Sequence, residues 1–244
     1  MKKKDTRISI VIIIILIFIL LAAILFTNYY YGKVFKTCKE CQPNEIFFVD
    51  VPLLPQFDIA KLESAMKGDG THLDPNKNFN SAQGKKLNYN QLPPEIQQFY
   101  VNESIRSAVS NAIGEQVGYA DEKERYRIFA IMYEDENDFK DWHYDNNFTD
   151  GNRYTLVIPI IVDQGNTSEF VIQERTTSEM KTVPIPLGKG VVYNGSITYH
   201  MVTKQTRGKR RLVIVVPMYS QYTKTIWGEL RQTIRNVTND VLTL

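Results

Sequence analysis

Between residues 126 and 218 the chain is a succession of short apolar, β-branched runs, and this constrains the fold more than any other feature. The runs cover residues 126–133, 153–162, 169–173, 181–185, 190–193, 198–203 and 211–218, and Gly, Asn, Asp or Pro separates most of them. Each is too short for a packed helix, and many short strands at such spacing close into a β-sandwich or barrel. Upstream, residues 46–54 read as a further strand, and Asp58 can cap a short helix through Met66. Residues 68–92, rich in Asn, Lys and Gly, read as a loop, and Pro93-Pro94-Glu95 then opens a helix. Its apolar positions, from Ile96 and Phe99 to Ala112 and Ile113, recur at mostly helical spacing. Downstream, Ile226, Leu230, Ile234, Val237 and Val241 form one stripe, which predicts a C-terminal helix over about 222–241. The expected class is mainly β with flanking helices.

The N-terminus follows a different rule. Residues 8–26 are apolar except Ser9, and about twenty such residues in a helix span a bilayer. A cleaved signal peptide has a shorter apolar region and a small-x-small exit, which Ala22-Ala23 imitates poorly. Tyr29, Tyr30 and Tyr31 follow at interface depth. Residues 1–31 therefore read as a tail and one transmembrane helix, 32–45 as a juxtamembrane stalk, and 46–244 as the folded domain. Lys2, Lys3, Lys4 and Arg7 precede the span while Lys33, Lys36 and Lys39 follow it, a bias that slightly favours a cytoplasmic N-terminus. The domain would then be lumenal or external, and Asn-x-Ser/Thr sequons at Asn102, Asn147, Asn166, Asn194 and Asn236 lean the same way. Cys38 and Cys41 are the only cysteines. No further zinc ligands lie near them and no strand–helix context surrounds them, so they read as a small local disulfide or two free thiols.

Within the β region, His143 and Asp145 stand two apart in Trp142-His143-Tyr144-Asp145, and His200 lies in a second strand-like segment. Residues i and i+2 of a strand share a face, so an imidazole and a carboxylate there can grip one metal. Two His and one carboxylate with the opposite side open form the facial triad of non-heme Fe(II) oxygenases. Just beyond His200, Lys209, Arg210 and Arg211 lead into the apolar run 212–216. Strand alternation lets one face of this basic run point inward, and the sequence leaves the register open. His72, the third histidine, falls in the loop-like stretch and reads as solvated. A net charge of +2 supplies no strong field for nucleic acid.

Together these residues resemble the double-stranded β-helix (jelly-roll) core of Fe(II)/2-oxoglutarate-dependent oxygenases, closest to the prolyl 4-hydroxylase-like branch. The likeness runs in order through Tyr133, His143-Tyr144-Asp145, Arg153-Tyr154-Thr155, Gly165 to Phe170, Pro184 to Gly190, His200-Met201-Val202 and Gly208-Lys209-Arg210. It implies iron bound by His143, Asp145 and His200. It further implies that Arg210 pairs with the distal carboxylate of 2-oxoglutarate, with Lys209 and Arg211 as close rivals, and that Tyr133 hydrogen-bonds the co-substrate. No counterpart exists for a second co-substrate tyrosine that some relatives place after the Thr. The implied chemistry is dioxygen-driven decarboxylation of 2-oxoglutarate to succinate, coupled to hydroxylation of a peptidyl proline or lysine, with ascorbate as reductant. The rivals are a non-catalytic jelly-roll binding or structural membrane protein, and a cupin-like metal or sugar binder, which usually presents more histidines.

Overall fold

The computed structural model describes residues 12–23, 35–73, 82–122, 124, 126–147, 149–224, 226, 229–230 and 233. Contacts divide the chain into two compact units, Met1–Val34 and Phe35–Leu244. In the first, residues 12–23 form a helix, α1. Among the described residues no helix is long and apolar enough to cross a membrane. The Tyr29–31 group lies outside the described residues, as do Asn236 and most of the expected C-terminal helix, of which residues 226, 229, 230 and 233 are helical.

The second unit is mainly β. Its elements run β1 (Ile46–Asp50), α2 (Gln56–Gly68), β2 (Thr71–Leu73), β3 (Ala82–Leu87), α3 (Pro94–Tyr100), α4 (Glu103–Ile113), β4 (Gly118–Tyr119), β5 (Phe129–Tyr133) and β6 (Phe139–His143). They continue with β7 (Arg153–Val162), β8 (Phe170–Gln173), β9 (Met180–Thr182), β10 (Lys189–Asn194), β11 (Tyr199–Val202) and β12 (Arg211–Tyr219). All strand pairs are antiparallel, in the order β1-β10-β7-β12-β5-β3-β6-β11-β8-β9. From β5 onward successive strands alternate between the β10-β7-β12-β5 half and the β6-β11-β8-β9 half, apart from the β8–β9 hairpin within the second, so the sheet curls into a jelly roll. The turn between halves is made in β3, where Lys85–Leu87 pair with β5 and Ala82–Gln83 pair with β6. Gly84 sits at the change of partner with φ +142°, and a Cβ there would lie 2.8 Å from the Met132 carbonyl oxygen. Only glycine takes that backbone without strain.

Two apolar cores result. Leu212, Ile214, Val216 and Met218 of β12 pack with Leu62 and Met66 of α2, Ile96 of α3 and Val109 of α4. The alternate residues Val213 and Val215 pack inside the roll with Ile131, Tyr133, Val157, Phe170, Val191 and Tyr193. Because both faces of β7 and β12 are covered, these strands read as unbroken apolar runs rather than alternating ones. Each fully buried aliphatic chain contributes roughly 1.5–3 kcal/mol relative to exposure.

Three sequence expectations are corrected. The stretch read as a loop contains β2 and β3, and β3 joins the two halves of the sheet. The helix expected from Pro94 to Ile113 is two helices: the chain breaks at Asn102, whose Oδ1 accepts from Ile105 N at 3.0 Å and so caps α4. The first helix starts at Gln56, with Asp58 in its first turn rather than at its cap. Cys38 and Cys41 form a disulfide.

Candidate metal centre

His143 ends β6 and His200 lies in β11, and the two are direct antiparallel partners. Pairing across one face brings the rings to a 4.1 Å centroid separation. Asp145 lies just past the strand end, where its N–H donates to Gly195 O at 2.8 Å and Gly195 N–H donates to Arg153 O at 2.9 Å. Asp145 Oδ1 stands 3.8 Å from His143 Nε2 and 3.9 Å from His200 Nε2. One ligand atom from each of the three falls within 4.8 Å of the others, and among the described residues no fourth His, Cys, Asp or Glu joins them. The space for further ligands therefore stays free of protein donors of these types.

The tautomers follow from the backbone. His143 Nδ1 lies 2.7 Å from Asp141 O, and His200 Nδ1 lies 2.9 Å from Thr198 O. A carbonyl only accepts, so both Nδ1 atoms carry the proton and both Nε2 atoms, left unprotonated, stand beside Asp145. Burial holds both imidazoles below their ordinary pKa of 6.5; at His143 the neighbouring His200 adds to the effect. They are thus neutral, as metal ligands must be. Burial also opposes ionisation of Asp145, but its neighbours, the Arg153 guanidinium first, then His200 and His143 and the Thr155 hydroxyl, together hold the carboxyl below its usual range. Thr155 Oγ1 donates to Asp145 Oδ2 at 2.5 Å, and Arg153 Nη2 stands 4.0 Å from the same oxygen. Two neutral imidazoles and one carboxylate form a donor set suited to a divalent first-row metal.

The three candidate cations have different surroundings. Arg210 Nε donates to Asp163 Oδ2 at 3.0 Å and its Nη1 pairs with Glu63, with the side chain 41% exposed. Lys209 lies in the turn, with Cε 3.6 Å from the position a Gly165 Cβ would take. Arg211, opposite Tyr133 in register, takes the same side of β12 as Val213 and Val215. It is 5% exposed, and its one hydrogen bond among the described residues runs from Nη1 to Ser168 O at 3.0 Å. Burial lowers its pKa, offset in part by Tyr133, Tyr193 and Glu169, and no carboxylate among the described residues forms an ion pair with it. An unpaired buried guanidinium costs several kcal/mol, on the order of 3–5, unless an anion joins it.

Tyr133 lies inside the roll opposite Arg211, 2% exposed, its hydroxyl kept un-ionised by burial although Arg211 opposes the shift. Tyr193, from β10, was not singled out in the sequence. Its hydroxyl donates to His200 Nε2 at 3.2 Å, and burial raises its pKa well above 10.0. Thr155, Arg153 and Gly195 were likewise not given roles, although Arg153 and Thr155 lie in the motif that carried the resemblance. A Cβ on Gly195 would fall 2.4 Å from Asp145 Oδ2, so glycine is what lets the carboxylate close in. Trp142 and Tyr199 stack at 5.2 Å outside the roll, and Tyr144 packs on Tyr199 at 4.9 Å.

No protein-family model and no curated protein matches the chain. Solved structures do. The fold is similar to a prolyl-4-hydroxylase from Pseudomonas putida, at 13% identity over 83% of this chain and 100% of the other, with a TM-score of 0.52. An oxidoreductase of the 2OG-Fe(II) oxygenase family from Burkholderia pseudomallei aligns at 13% identity over 73% and 88%, TM-score 0.52. The non-heme alpha-ketoglutarate-dependent epimerase SnoN of nogalamycin biosynthesis aligns at 12% identity over 72% and 76%, TM-score 0.55. The chain thus has the fold of the 2-oxoglutarate/Fe(II) oxygenases, and its three candidate ligands converge within that fold.

Proposed function

We propose that the protein is a membrane-anchored Fe(II)/2-oxoglutarate-dependent dioxygenase that hydroxylates a peptidyl proline or lysine. The observation that carries the reading is the convergence of His143, Asp145 and His200, with both unprotonated Nε2 atoms beside the carboxylate. These three side chains hold the ferrous ion. Arg211, with the Tyr133 hydroxyl, takes the distal carboxylate of 2-oxoglutarate, supported by the guanidinium's burial without a counter-ion. When bound, ferrous iron and 2-oxoglutarate supply the oxidising power, with decarboxylation to succinate and with ascorbate keeping the metal reduced. Arg153 and Thr155 keep Asp145 ionised and aimed. The Tyr193 hydroxyl, hydrogen-bonded to His200 Nε2, is a buried polar group beside the nitrogen that would hold the metal. A purely structural or ligand-binding jelly roll has no need of a neutral histidine pair or an unpaired interior arginine.

The substrate class is supported by the prolyl 4-hydroxylase-like order of motifs and by the Pseudomonas putida neighbour, whose whole length aligns. Anchoring is supported by the apolar run over residues 8–26, and a lumenal or external domain by the Cys38–Cys41 disulfide, a bond favoured in oxidising compartments. The test uses the full chain in mild detergent with Fe(II), ascorbate and 2-oxoglutarate. Succinate should be released, slowly when uncoupled, and proline- or lysine-bearing peptides should gain one oxygen atom. His143→Ala or Asp145→Ala should abolish both. If wild type and variants turn over alike, or ferrous iron does not bind, the enzyme reading fails.

A further inference from the structure

Ahead of β1, residues 35–44 run along the roll and are fastened to it at several points. Phe35 packs on Tyr199 at 5.6 Å, and Lys36 N donates to Tyr144 Oη at 3.0 Å. Cys38 N donates to Arg175 O at 3.0 Å, and Asn44 N donates to Glu174 Oε1 at 2.9 Å. Between them lies the Cys38–Cys41 disulfide, with a sequence separation of 3. A ring that short removes little freedom from the unfolded chain, so it is the weakest form of covalent staple. Both cysteines are half-buried, which leaves the bond within reach of a thiol. The Arg175 side chain comes back over the bond, and its Nη2 donates to Cys41 Sγ at 2.7 Å. Among the described residues no carboxylate pairs with Arg175. A guanidinium at one sulfur favours that sulfur as a thiolate and hence as a leaving group.

We propose that Cys38–Cys41 is a thiol–disulfide exchange site whose leaving group is Cys41, stabilised by Arg175. An incoming thiolate attacks Cys38 Sγ. The Cys38–Cys41 bond breaks as the new S–S bond forms, and its electron pair goes to Cys41 as thiolate beside Arg175. A second external thiolate then attacks the incoming sulfur, releasing Cys38 as thiolate and an external disulfide. Two external thiols are oxidised and the cysteine pair takes up two electrons. Because the same ten residues touch Tyr144, which stands between His143 and Asp145, the exchange site lies on the segment that borders the metal centre. The proposal does not depend on the oxygenase reading.

The chain has 2 cysteines, so trapped masses report the pair directly. The full chain in detergent is equilibrated in glutathione buffers of graded ratio and quenched with an alkylating agent. Wild type should pass from disulfide to dithiol within the glutathione range. Arg175→Gln should shift the equilibrium toward disulfide by roughly tenfold, and Arg175→Lys should restore most of the loss. On the reduced protein, alkylation of Cys41 should reach half-rate at a pH below the ordinary thiol value in wild type and return to it in Arg175→Gln. A disulfide that opens with dithiothreitol but never in glutathione overturns the proposal, and that wild-type result decides even if a variant misfolds. An alkylation profile indifferent to Arg175 overturns the leaving-group assignment.

Discussion

At the scale of single residues, two adjacent arginines on one strand have opposite surroundings. Arg210 is neutralised by Asp163 and Glu63 on the outside, whereas Arg211 is buried in the roll with a single carbonyl partner. A charge-assisted bond to a bound carboxylate contributes about 1.5–3 kcal/mol. Arg211→Ala should therefore raise the 2-oxoglutarate concentration needed for half-maximal turnover at least tenfold, while Arg210→Ala leaves it near wild type and loosens the Glu63 contact instead. Ferrous iron titration of both variants checks that the metal centre is intact; equal effects on co-substrate would remove Arg211 from the pocket. Gly195→Ala tests the other end of the site. Its methyl would collide with the Asp145 carboxylate, so divalent metal affinity should fall by about 10–100-fold, read by titration of the purified chain. The buried imidazoles give a pH dependence to the metal-free fold. Their folded pKa values lie below the unfolded 6.5, so between the two the unfolded chain holds more protons and stability falls with falling pH. Each contributes a slope of about 1.4 kcal/mol per pH unit in that window. Chemical denaturation at pH 7, 6 and 5 should show the midpoint dropping, and less so in His200→Asn.

At the scale of elements, the strand that closes the roll is also the one the sequence hides. β3 reads Ala-Gln-Gly-Lys-Lys-Leu, a polar string, yet Lys85 pairs with Glu134 and Lys86 Nζ sits 4.1 Å over the Tyr126 ring and 4.2 Å over that of Phe129. Long lysine stems thus serve where apolar side chains would have signalled a strand. Gly84 makes the bend possible, and Gly84→Val should cost about 1–3 kcal/mol through the positive φ alone, seen as a lower denaturant midpoint with an unchanged slope. A midpoint within error of wild type would mean that the strand turns without using that backbone. By contrast β7 and β12 were legible because their central stretches, Leu156–Ile160 and Leu212–Val216, are buried on both faces and apolar at every position. The convergence of the three candidate ligands was legible because strand alternation and order along the chain suffice to bring them together. The arginine was not: three cations in succession fit any register, and only the pairing of Arg211 with Tyr133 and Val162 sets which one enters. Tyr193 was hidden for a similar reason, since a tyrosine in an apolar strand carries no sign that its hydroxyl reaches a histidine on β11.

At the scale of the whole molecule, the proposed anchoring assigns the two compact units to different solvents. Phe35–Leu244 contains both apolar cores and all three candidate ligands. Met1–Val34 contains an apolar run over 8–26, of which the helical residues Ile12–Leu20 are exposed. Water exacts about 25 cal/mol for each Å² of such surface left exposed, and a bilayer is the environment that removes the cost. The full chain should therefore sediment with membranes and stay there through alkaline carbonate, which strips proteins held by charge. A chain lacking residues 1–31 should stay in the supernatant while binding divalent metal as tightly as the full chain. Orientation follows from the same preparation: in sealed vesicles with the N-terminus facing the cytoplasmic side, protease should spare the Cys38–Cys41 segment and everything after it until detergent is added. Release of the full chain by carbonate would mean that the apolar run is covered by protein instead. Digestion of the domain in sealed vesicles would put the metal centre on the cytoplasmic side, where a disulfide at Cys38–Cys41 would have to persist against the reducing thiol pool.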